Sequence, residues 1–396
     1  MAHFLQAYAL LTGLKIERPQ ITAKYFPTAI GKNYITLHTD SELQPKQYSF
    51  WQDVVDYLHE PLEKHNIKIM QIGAKGAKPI KKCYSTCGLT TINNVAYLLQ
   101  GSLMHLGVDS FPCHIASSYD IPVVALYGNT YPQQCGPYWG KNNTTLCGVP
   151  KNEKPSYSIR ENPKRINNIK VEDIAQAVLK KLGIEHKNKY RTIYIGHNYP
   201  KPSVDIVPDN PEALKVFNPN QLVTVRMDLA HNAEILQKYL LSHNCVIVTN
   251  KVIDINLLAH FKKNGDRVKQ IFYILTEDHS ELFVKQLRSL NIPFQLLCEK
   301  GGDLNSYKLI YMDYGLVSEK QYPKLNDFKE FEDVDRDKIY YKSNKYTLSN
   351  GKIYSSKEAM KKDETVPGFS QQFKKAEFTE DLFEEFQSYY FAEKVD

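Results

Sequence analysis

The sequence predicts an α/β protein of two Rossmann-like, open parallel-sheet domains followed by a small C-terminal α+β appendage. Short β-rich runs alternate with helical patterns over residues 34–182, and the alternation resumes over 192–312 after a polar stretch. Residues 345–355 then carry an Asn-Gly pair that is typical of a tight hairpin. Strands that alternate with helices form a parallel sheet with helices on both faces. We therefore place the domains at residues 1–187, 188–318 and 319–396.

The first domain opens with a short helix at residues 4–14. Ser49 is a favourable N-cap for the helix that follows the first strand. A glycine-rich turn at residues 73–76 follows the second strand. The strands are predicted at 34–38, 67–72, 102–108 and 123–127, and the later helices at 49–65, 90–100, 112–118 and 171–182.

The second domain follows the polar residues 184–190. Its strands are predicted at 192–195, 222–226, 245–249, 270–275, 294–298 and 309–312, and its helices at 231–242, 254–263 and 279–290. In the last segment, Asn350-Gly351 predicts the hairpin turn. Thr379 is placed to cap a final helix, with Phe378 and Phe383 as its hydrophobic staple.

Composition is that of an ordinary globular protein. Hydrophobic residues make up 42% of the 396 residues and charged residues 24%. No apolar run approaches the roughly 20 residues of a membrane span, and the N-terminus lacks a signal-peptide pattern, so we expect a cytoplasmic location. The net charge of +6 favours anionic partners such as nucleotide diphosphates, acidic glycans or nucleic acid.

Cysteine usage predicts neither a disulfide framework nor a metal site. The seven cysteines are an odd number in a long chain. Cys83 and Cys87 lie four residues apart, but no second close pair completes a zinc-like pattern. The first domain also lacks an Asp-x-Asp signature, so we expect chemistry without a metal or other cofactor.

The most informative segment is 108–137. Asp109 and Ser110 follow a predicted strand, and a helix starts at about Pro112, where a missing N–H costs nothing. A helix N-terminus favours an anion. Gly128, Asn129 and Thr130 follow the next strand at the same sheet edge, where open α/β sheets bind ligands. Two such loops side by side predict a diphosphate cradle.

This segment resembles glycosyltransferase family 9, the lipopolysaccharide heptosyltransferases, whose donor domain reads roughly D-[ST]-G-x-x-H-x-A and then P-x-[VI]-x-[LV]-[FY]-G-x-[TS]. Upstream, Lys46 in the segment KQYSFW matches the family lysine that binds the donor phosphates. The similarity covers residues 1–185. The matching positions of the two motifs are Asp109, Ser110, His114, Ala116, Pro122, Val124, Leu126, Tyr127, Gly128 and Thr130.

The resemblance implies a GT-B glycosyltransferase that is metal-independent and inverting. Its substrate would be a nucleotide-diphosphate sugar, and its acceptor a glycan or a lipid-linked glycan. Apart from the resemblance, the positive net charge and the Lys/Tyr-rich residues 340–357 allow a nucleic acid acceptor, as in phage-type DNA glycosylation. The donor-binding residues would be Lys46, Asp109, Ser110, His114, Gly128, Asn129 and Thr130. Each has a plainer interpretation: Asp109 could cap a helix, His114 could be a buried histidine, Lys46 could be a surface lysine and Thr130 could be turn chemistry.

Two departures from the family favour an alternative, a catalytically inactive nucleotide- or glycan-binding regulatory protein. Phe111 stands where the family has glycine. The family places an acceptor domain, which carries its catalytic base, before the donor domain, so that base cannot be carried over. A swapped domain order would make residues 188–318 the acceptor domain. Candidate bases there, at strand ends or helix starts, are His197, Asp228, His231 and Asp313.

Overall fold

A computed structural model of the chain describes residues 2–299, 301–314, 317–320 and 322–395. The chain divides into two compact units, Met1–Thr192 and Ile193–Asp396. Each unit contains an open, largely parallel sheet with helices, so the predicted α/β class is confirmed.

The first unit is built on a six-stranded sheet in the order β3-β2-β1-β4-β5-β6, in which every neighbouring pair is parallel. Its strands are β1 Tyr34–His38, β2 Lys68–Ile72, β3 Tyr84–Ser85, β4 His105–Val108, β5 Val123–Tyr127 and β6 Asn143–Cys147. Its helices are α1 Phe4–Thr12, α2 Trp51–Lys64, α3 Ile92–Gln100, α4 Phe111–Ser118, α5 Pro132–Cys135 and α6 Val171–Leu182.

The central strands of this sheet are buried on both faces, and β5 is accordingly an unbroken apolar run, VVALY. Every residue of β1, β4 and β5 is buried. The predicted cap of α2 is wrong: Phe50 is the N-cap, and Ser49 instead exchanges hydrogen bonds with Asn167, whose Oδ1 accepts from the Ser49 amide at 3.0 Å. The helix begins two residues later than predicted.

The second unit holds an eight-stranded sheet, β13-β12-β11-β10-β9-β8-β15-β16, and a four-stranded sheet, β17-β14-β18-β7. The strands are β7 Tyr190–Ile195, β8 Ser203–Ile206, β9 Leu222–Arg226, β10 Asn244–Thr249, β11 Val268–Leu275, β12 Phe294–Cys298, β13 Val317–Glu319, β14 Ile339–Ser343, β15 Lys345–Ser349, β16 Lys352–Tyr354, β17 Lys374–Lys375 and β18 Tyr389–Lys394. The helices are α7 Ala233–Ser242, α8 Ile255–Lys263, α9 Glu281–Ser289, α10 Leu304–Ile310, α11 Lys357–Lys361 and α12 Glu380–Glu385.

The strand predicted at residues 309–312 is wrong, because helix α10 ends there. The Asp303 side chain caps this helix by accepting from the Ser306 amide at 3.0 Å. The short apolar run that suggested a strand belongs to the end of the helix and the turn after it. Runs of this length do not distinguish a helix from a strand by periodicity alone.

The C-terminal segment contributes strands to both sheets of the second unit. Its hairpin forms as predicted, with Asn350 at φ 50° and Gly351 at φ 74° in the turn between β15 and β16. Strand β15 also pairs in parallel with β8, so the hairpin extends the eight-stranded sheet. A turn signal identifies the local pair and leaves open which distant strand the pair joins.

The predicted cap and staple of the last helix are confirmed. Thr379 Oγ1 accepts from the Leu382 amide at 3.3 Å. The Phe378 and Phe383 rings flank the start of α12 with their centroids 6.2 Å apart. Among the described residues, no helix is long and apolar enough to span a bilayer.

Candidate functional site

The carboxyl ends of three adjacent strands in the first unit bring the predicted donor-binding residues together. Strands β1, β4 and β5 are neighbours and parallel, so the loops that follow them lie at one edge of the sheet. Asp109 and Ser110 follow β4, and Thr130 lies three residues beyond β5. This is the edge at which an open α/β sheet binds ligands.

Asp109 is the centre of this edge. Its Oδ2 atom lies 2.6 Å from Lys46 Nζ and accepts a hydrogen bond from Thr130 Oγ1 at 3.1 Å. The Asp109 side chain is only 6% exposed and that of Lys46 18%. Asp109 therefore joins a lysine and a threonine from two other segments, and it does not act as a helix cap. The buried Asp109 carboxylate positions the Lys46 ammonium group at this edge, and a lysine ammonium group is suited to binding phosphate.

Ser110 begins helix α4 without capping it. The residue is the N-cap in extended conformation, but its side chain makes no cap hydrogen bond. Its Oγ atom lies 3.0 Å from Val108 O and 3.0 Å from His38 Nδ1 instead. Amides in a helix's first turn that no side chain caps favour an anion.

Gly128 is required by close packing of the backbone. A Cβ atom at this position would lie 2.7 Å from Ile166 N and 2.6 Å from Ile166 Cβ. The glycine therefore lets the loop after β5 pass against the segment before α6. The contact also helps to fix the position of Thr130, two residues further along this loop.

We expect Gly128→Ala to lower the free energy of unfolding by about 1–3 kcal/mol, because an added methyl group must displace the Ile166 backbone. Urea denaturation measures the change. Gly13→Ala has no neighbour within 4 Å but carries the strain of φ 71°, so it serves as a control for strain without a clash. A loss of less than about 0.5 kcal/mol in Gly128→Ala would contradict the packing argument.

Asn129 holds its own loop in place. Its Nδ2 atom donates to Ser158 O at 3.0 Å, and its backbone carbonyl accepts from the Tyr157 amide at 3.0 Å. Its Oδ1 atom is buried and has no hydrogen-bond partner among the residues that the structure describes. The side chain thus connects the loop after β5 to residues 157 and 158.

His114 lies in the first turns of α4, close to the charged group. Burial lowers its pKa below the ordinary value of 6.5, which the nearby Asp109 opposes and the neighbouring His3 and Lys46 reinforce. The imidazole is therefore neutral at pH 7, able to accept or donate one hydrogen bond at the rim of the site.

Phe111 occupies the first position of α4 with 46% of its surface exposed. Its backbone is not among the residues with positive φ, so the conformational freedom of the family's glycine is not needed here. Its ring lies edge-on to His38, with centroids 6.0 Å apart. Phe111 thus places an apolar surface at the edge of the site.

The candidate bases of the second unit lie in different settings. His197 is exposed, and its backbone amide donates to Gln387 Oε1 at 3.1 Å. His231 is exposed just before the N-cap of α7, and partial burial lowers its pKa. Asp313 is exposed beyond α10. Asp228 follows β9, and both of its carboxylate oxygens accept from Arg226, at 2.8 and 2.7 Å.

Sequence reasoning missed a buried ionic cluster around Arg226. The guanidinium also donates to Asp205 Oδ2 at 2.7 Å, and Lys345 Nζ lies 3.1 Å from the same oxygen. Lys345 further contacts Glu385 at 3.4 Å. The only available signal was a charged residue inside each of the strands β8 and β9, and no pattern in the sequence relates these residues to Lys345 and Glu385.

No group of three or more His, Cys, Asp or Glu side chains positioned to hold a metal ion occurs in the part of the chain that the structure describes. The arrangement in the first unit is instead a lysine, hydroxyl groups and a helix N-terminus around one carboxylate. Such a set suits an anionic ligand that carries hydroxyl groups.

The comparison with protein families gives one match. Residues 14–166 match the sequence model of glycosyltransferase family 9 (heptosyltransferase). The matched range contains Lys46, Asp109 and Thr130. No curated protein matches the chain.

Solved structures similar to the chain include three family 9 or heptosyltransferase proteins. A family 9 glycosyl transferase from Veillonella parvula is 20% identical, with a TM-score of 0.30 over 45% of this chain and 50% of the other. The E. coli heptosyltransferase WaaC with ADP is 19% identical, with a TM-score of 0.31 over 44% and 54%. The iron-containing heptosyltransferase TibC with ADP-D-beta-D-heptose is 14% identical, with a TM-score of 0.32 over 40% and 47%. The matches thus span about half the length of these proteins.

Proposed function

We propose, from the premise that residues 14–166 belong to glycosyltransferase family 9, that the chain transfers a sugar from a nucleoside diphosphate donor to an acceptor hydroxyl. The observation that carries the proposal is the contact of Lys46 and Thr130 with the buried Asp109, beside the N-terminus of α4 and inside the matched range. This arrangement supplies what the leaving diphosphate requires, a cation and amide donors at one edge.

In the proposed mechanism, the acceptor oxygen bonds to the anomeric carbon of the donor sugar as the bond to the diphosphate breaks. Lys46 Nζ has three donors and gives one to Asp109, so the others can contact the phosphates. Asp109 Oδ1 is not used by Lys46 or Thr130 and is placed to accept from a sugar hydroxyl. We propose a reaction without a metal and with inversion at the anomeric carbon.

We assign acceptor binding to the second unit and propose a glycan or a lipid-linked glycan as the acceptor. Support comes from its parallel sheet, whose carboxyl edge carries Asp228 next to the buried Arg226. The second candidate function is binding of a nucleotide or glycan without catalysis. The observation that favours it is the exposed Phe111 at the first turn of α4, where a bulky ring narrows the approach of a phosphate to the backbone.

The test begins with thermal-shift titration of the purified chain with ADP, UDP, GDP and CDP. We expect one of these nucleotides to raise the melting temperature of the protein. We also expect the protein to release that nucleotide from its sugar conjugates. Asp109→Asn removes the negative charge that holds Lys46 and is expected to reduce release by about 10- to 100-fold, as expected for loss of a charged hydrogen bond worth ~1.5–3 kcal/mol.

Asp173→Asn, at the exposed start of α6, is the matched control and should leave release unchanged. Binding of a nucleotide without release from any donor would support the non-catalytic alternative. If none of the four nucleotides binds, the proposed function is wrong.

A further inference from the structure

His38 is a buried histidine at the carboxyl end of β1 that the preceding mechanism does not use. It is 7% exposed, and its Nδ1 atom lies 3.0 Å from Ser110 Oγ. The Phe111 ring lies edge-on to the imidazole. His38 therefore lies against the first residues of α4, next to Ser110 and Phe111.

The hydrogen bonds of Ser110 determine which nitrogen of His38 carries the proton. Ser110 Oγ has a single proton, and it lies 3.0 Å from Val108 O, which can only accept. Val108 O also accepts from Cys113 Sγ at 3.2 Å, and with the Ser110 proton directed to Val108 O, Ser110 Oγ accepts from His38. Nδ1 of His38 then carries the hydrogen, which leaves Nε2 as an unprotonated nitrogen with a lone pair.

The Nε2 atom of His38 makes no hydrogen bond to a residue that the structure describes, and it is not among the enclosed, unpartnered polar atoms. His105 on the adjacent strand provides the contrast. Its Nδ1 atom lies 3.0 Å from Thr36 Oγ1, while its Nε2 is enclosed and has no partner in the described part of the chain. Of these two histidines on paired strands, His38 is the one whose basic nitrogen a substrate can reach.

Burial keeps the His38 imidazole neutral. Burial lowers its pKa below the ordinary value of 6.5, and Asp40, two residues along the chain, partly opposes this effect. From β4, the buried His105 is itself neutral, since burial lowers its pKa to about 3. Beyond Ser110, the charges of Lys46 and Asp109 offset each other. A neutral imidazole with a reachable lone pair is the state that a general base requires.

Building on the proposed transferase function, we propose that Nε2 of His38 is the general base that deprotonates the acceptor hydroxyl. The acceptor O–H bond breaks and its proton moves to Nε2, while the oxygen forms the new bond to the anomeric carbon. The bond from that carbon to the diphosphate breaks, and its electron pair leaves with the diphosphate. The imidazolium then returns the proton to water.

Ser110 would act as a positioning residue in this step. Nδ1–H donates to Ser110 Oγ, which donates in turn to Val108 O, so the chain of hydrogen bonds fixes the ring and stabilises the positive charge that develops on it. The same residue begins α4, whose N-terminus faces the proposed diphosphate. Base and leaving-group site are thus joined through one side chain.

The test uses His38→Asn in the full chain, because the Asn amide keeps a donor for Ser110 but has no basic nitrogen. We expect kcat to fall by about 10²- to 10⁴-fold, the usual contribution of a general base. KM for the donor and the affinity for the nucleoside diphosphate should change by less than about twofold. The wild-type profile of kcat against pH should rise through a pKa below 6.5, and the variant should lose that limb.

His65→Asn, at the exposed end of α2, is the matched control and should keep both kcat and the pH profile. An independent readout is the ¹H–¹⁵N spectrum of the imidazoles, in which His38 should show a protonated Nδ1 and an unprotonated Nε2. If His38→Asn does not fold, His38→Ala with added imidazole replaces it, because the truncated side chain leaves room for the added ring. We expect imidazole to restore part of the lost kcat.

The outcomes separate this inference from the proposed function. If the wild type releases no nucleotide from any donor, the transferase function and the base are both overturned. If the wild type turns over and His38→Asn has the same kcat and the same acid limb, only the base is overturned. A rise in KM with kcat unchanged would also overturn it, because His38 would then contact the ground state alone.

Discussion

Replacing Lys46 with methionine is expected to weaken nucleoside diphosphate binding by about 10- to 100-fold. The lysine contributes a charged hydrogen bond to the phosphates, and such bonds are worth ~1.5–3 kcal/mol. Methionine keeps an unbranched stem of similar length, so the packing of the segment around Pro45 and Tyr48 is preserved. Isothermal titration calorimetry at a fixed, low salt concentration measures the change.

The same substitution leaves the carboxylate of Asp109 buried without its cation, so stability is expected to fall as well. Removing one partner of a buried pair costs about 3–5 kcal/mol, and this pair is close to buried, with the two side chains 18% and 6% exposed. The double variant Lys46→Met, Asp109→Asn removes both charges. It should recover much of the stability while binding the diphosphate as poorly as Lys46→Met.

Lys32→Met is the control, since Lys32 is exposed two residues before the amino end of β1, at the opposite edge of the sheet. It should change neither binding nor stability. If Lys46→Met binds the nucleoside diphosphate with wild-type affinity, Lys46 does not contact the phosphates and only forms the ion pair with Asp109. Recovery of binding in the double variant would point to the same conclusion.

The fold of the first unit could be predicted because several of its buried parallel strands have short, largely apolar sequences. The strand Val123–Tyr127 is buried throughout, and its bounds follow directly from the run VVALY. The family resemblance is confirmed over residues 14–166. Because β4 and β5 are adjacent and parallel, the residues that follow them, Asp109 and Thr130, lie at the same edge of the sheet.

What could not be predicted depends on contacts between residues far apart in sequence. His38 and Ser110 are 72 residues apart, and only the pairing of β1 with β4 brings them together. Local sequence patterns carry no information about that contact, so the sequence predicts His38 only as the last residue of a strand. Gly128 adds a role that its place in a motif did not predict, because the backbone at this position packs against Ile166.

The second unit was harder to interpret, because several of its strands are short or polar. Strand β8 contains the buried Asp205 and was not predicted, since a charged residue in a short strand breaks the apolar pattern. Its neighbour β15 comes from the C-terminal segment. Asp205 of β8 forms ion pairs with Arg226 of β9 and Lys345 of β15. Hydrophobic periodicity cannot detect strands that interact through charged side chains.

Replacing Arg226 with methionine is expected to cost about 3–5 kcal/mol in the free energy of unfolding of the second unit. The guanidinium satisfies both oxygens of Asp228 and one of Asp205, and all three side chains are less than 10% exposed. Without it, Asp228 loses both of these hydrogen bonds, whereas Asp205 retains Lys345. Urea denaturation followed by near-ultraviolet circular dichroism measures the loss.

The loss should depend on pH with a definite sign. Burial acts to raise the pKa of Asp205, but Lys345 and Arg226 hold it below the ordinary value of 3.8. A carboxyl group whose pKa is lowered by folding stabilises the protein above its unfolded pKa, and that contribution is lost as the pH falls through the folded pKa. The difference between wild type and Arg226→Met should therefore be full at pH 6–7 and shrink below about pH 4.

Two further variants separate the ionic cluster from a general effect of removing arginine. Arg336→Met lies at an exposed position and should change the free energy of unfolding by less than about 0.5 kcal/mol. Adding Asp228→Asn to Arg226→Met removes one of the uncompensated charges, so the double variant should be more stable than Arg226→Met alone. A pH-independent loss that the second substitution does not relieve would mean that Arg226 stabilises the unit through the packing of its stem, and that its charge contributes little.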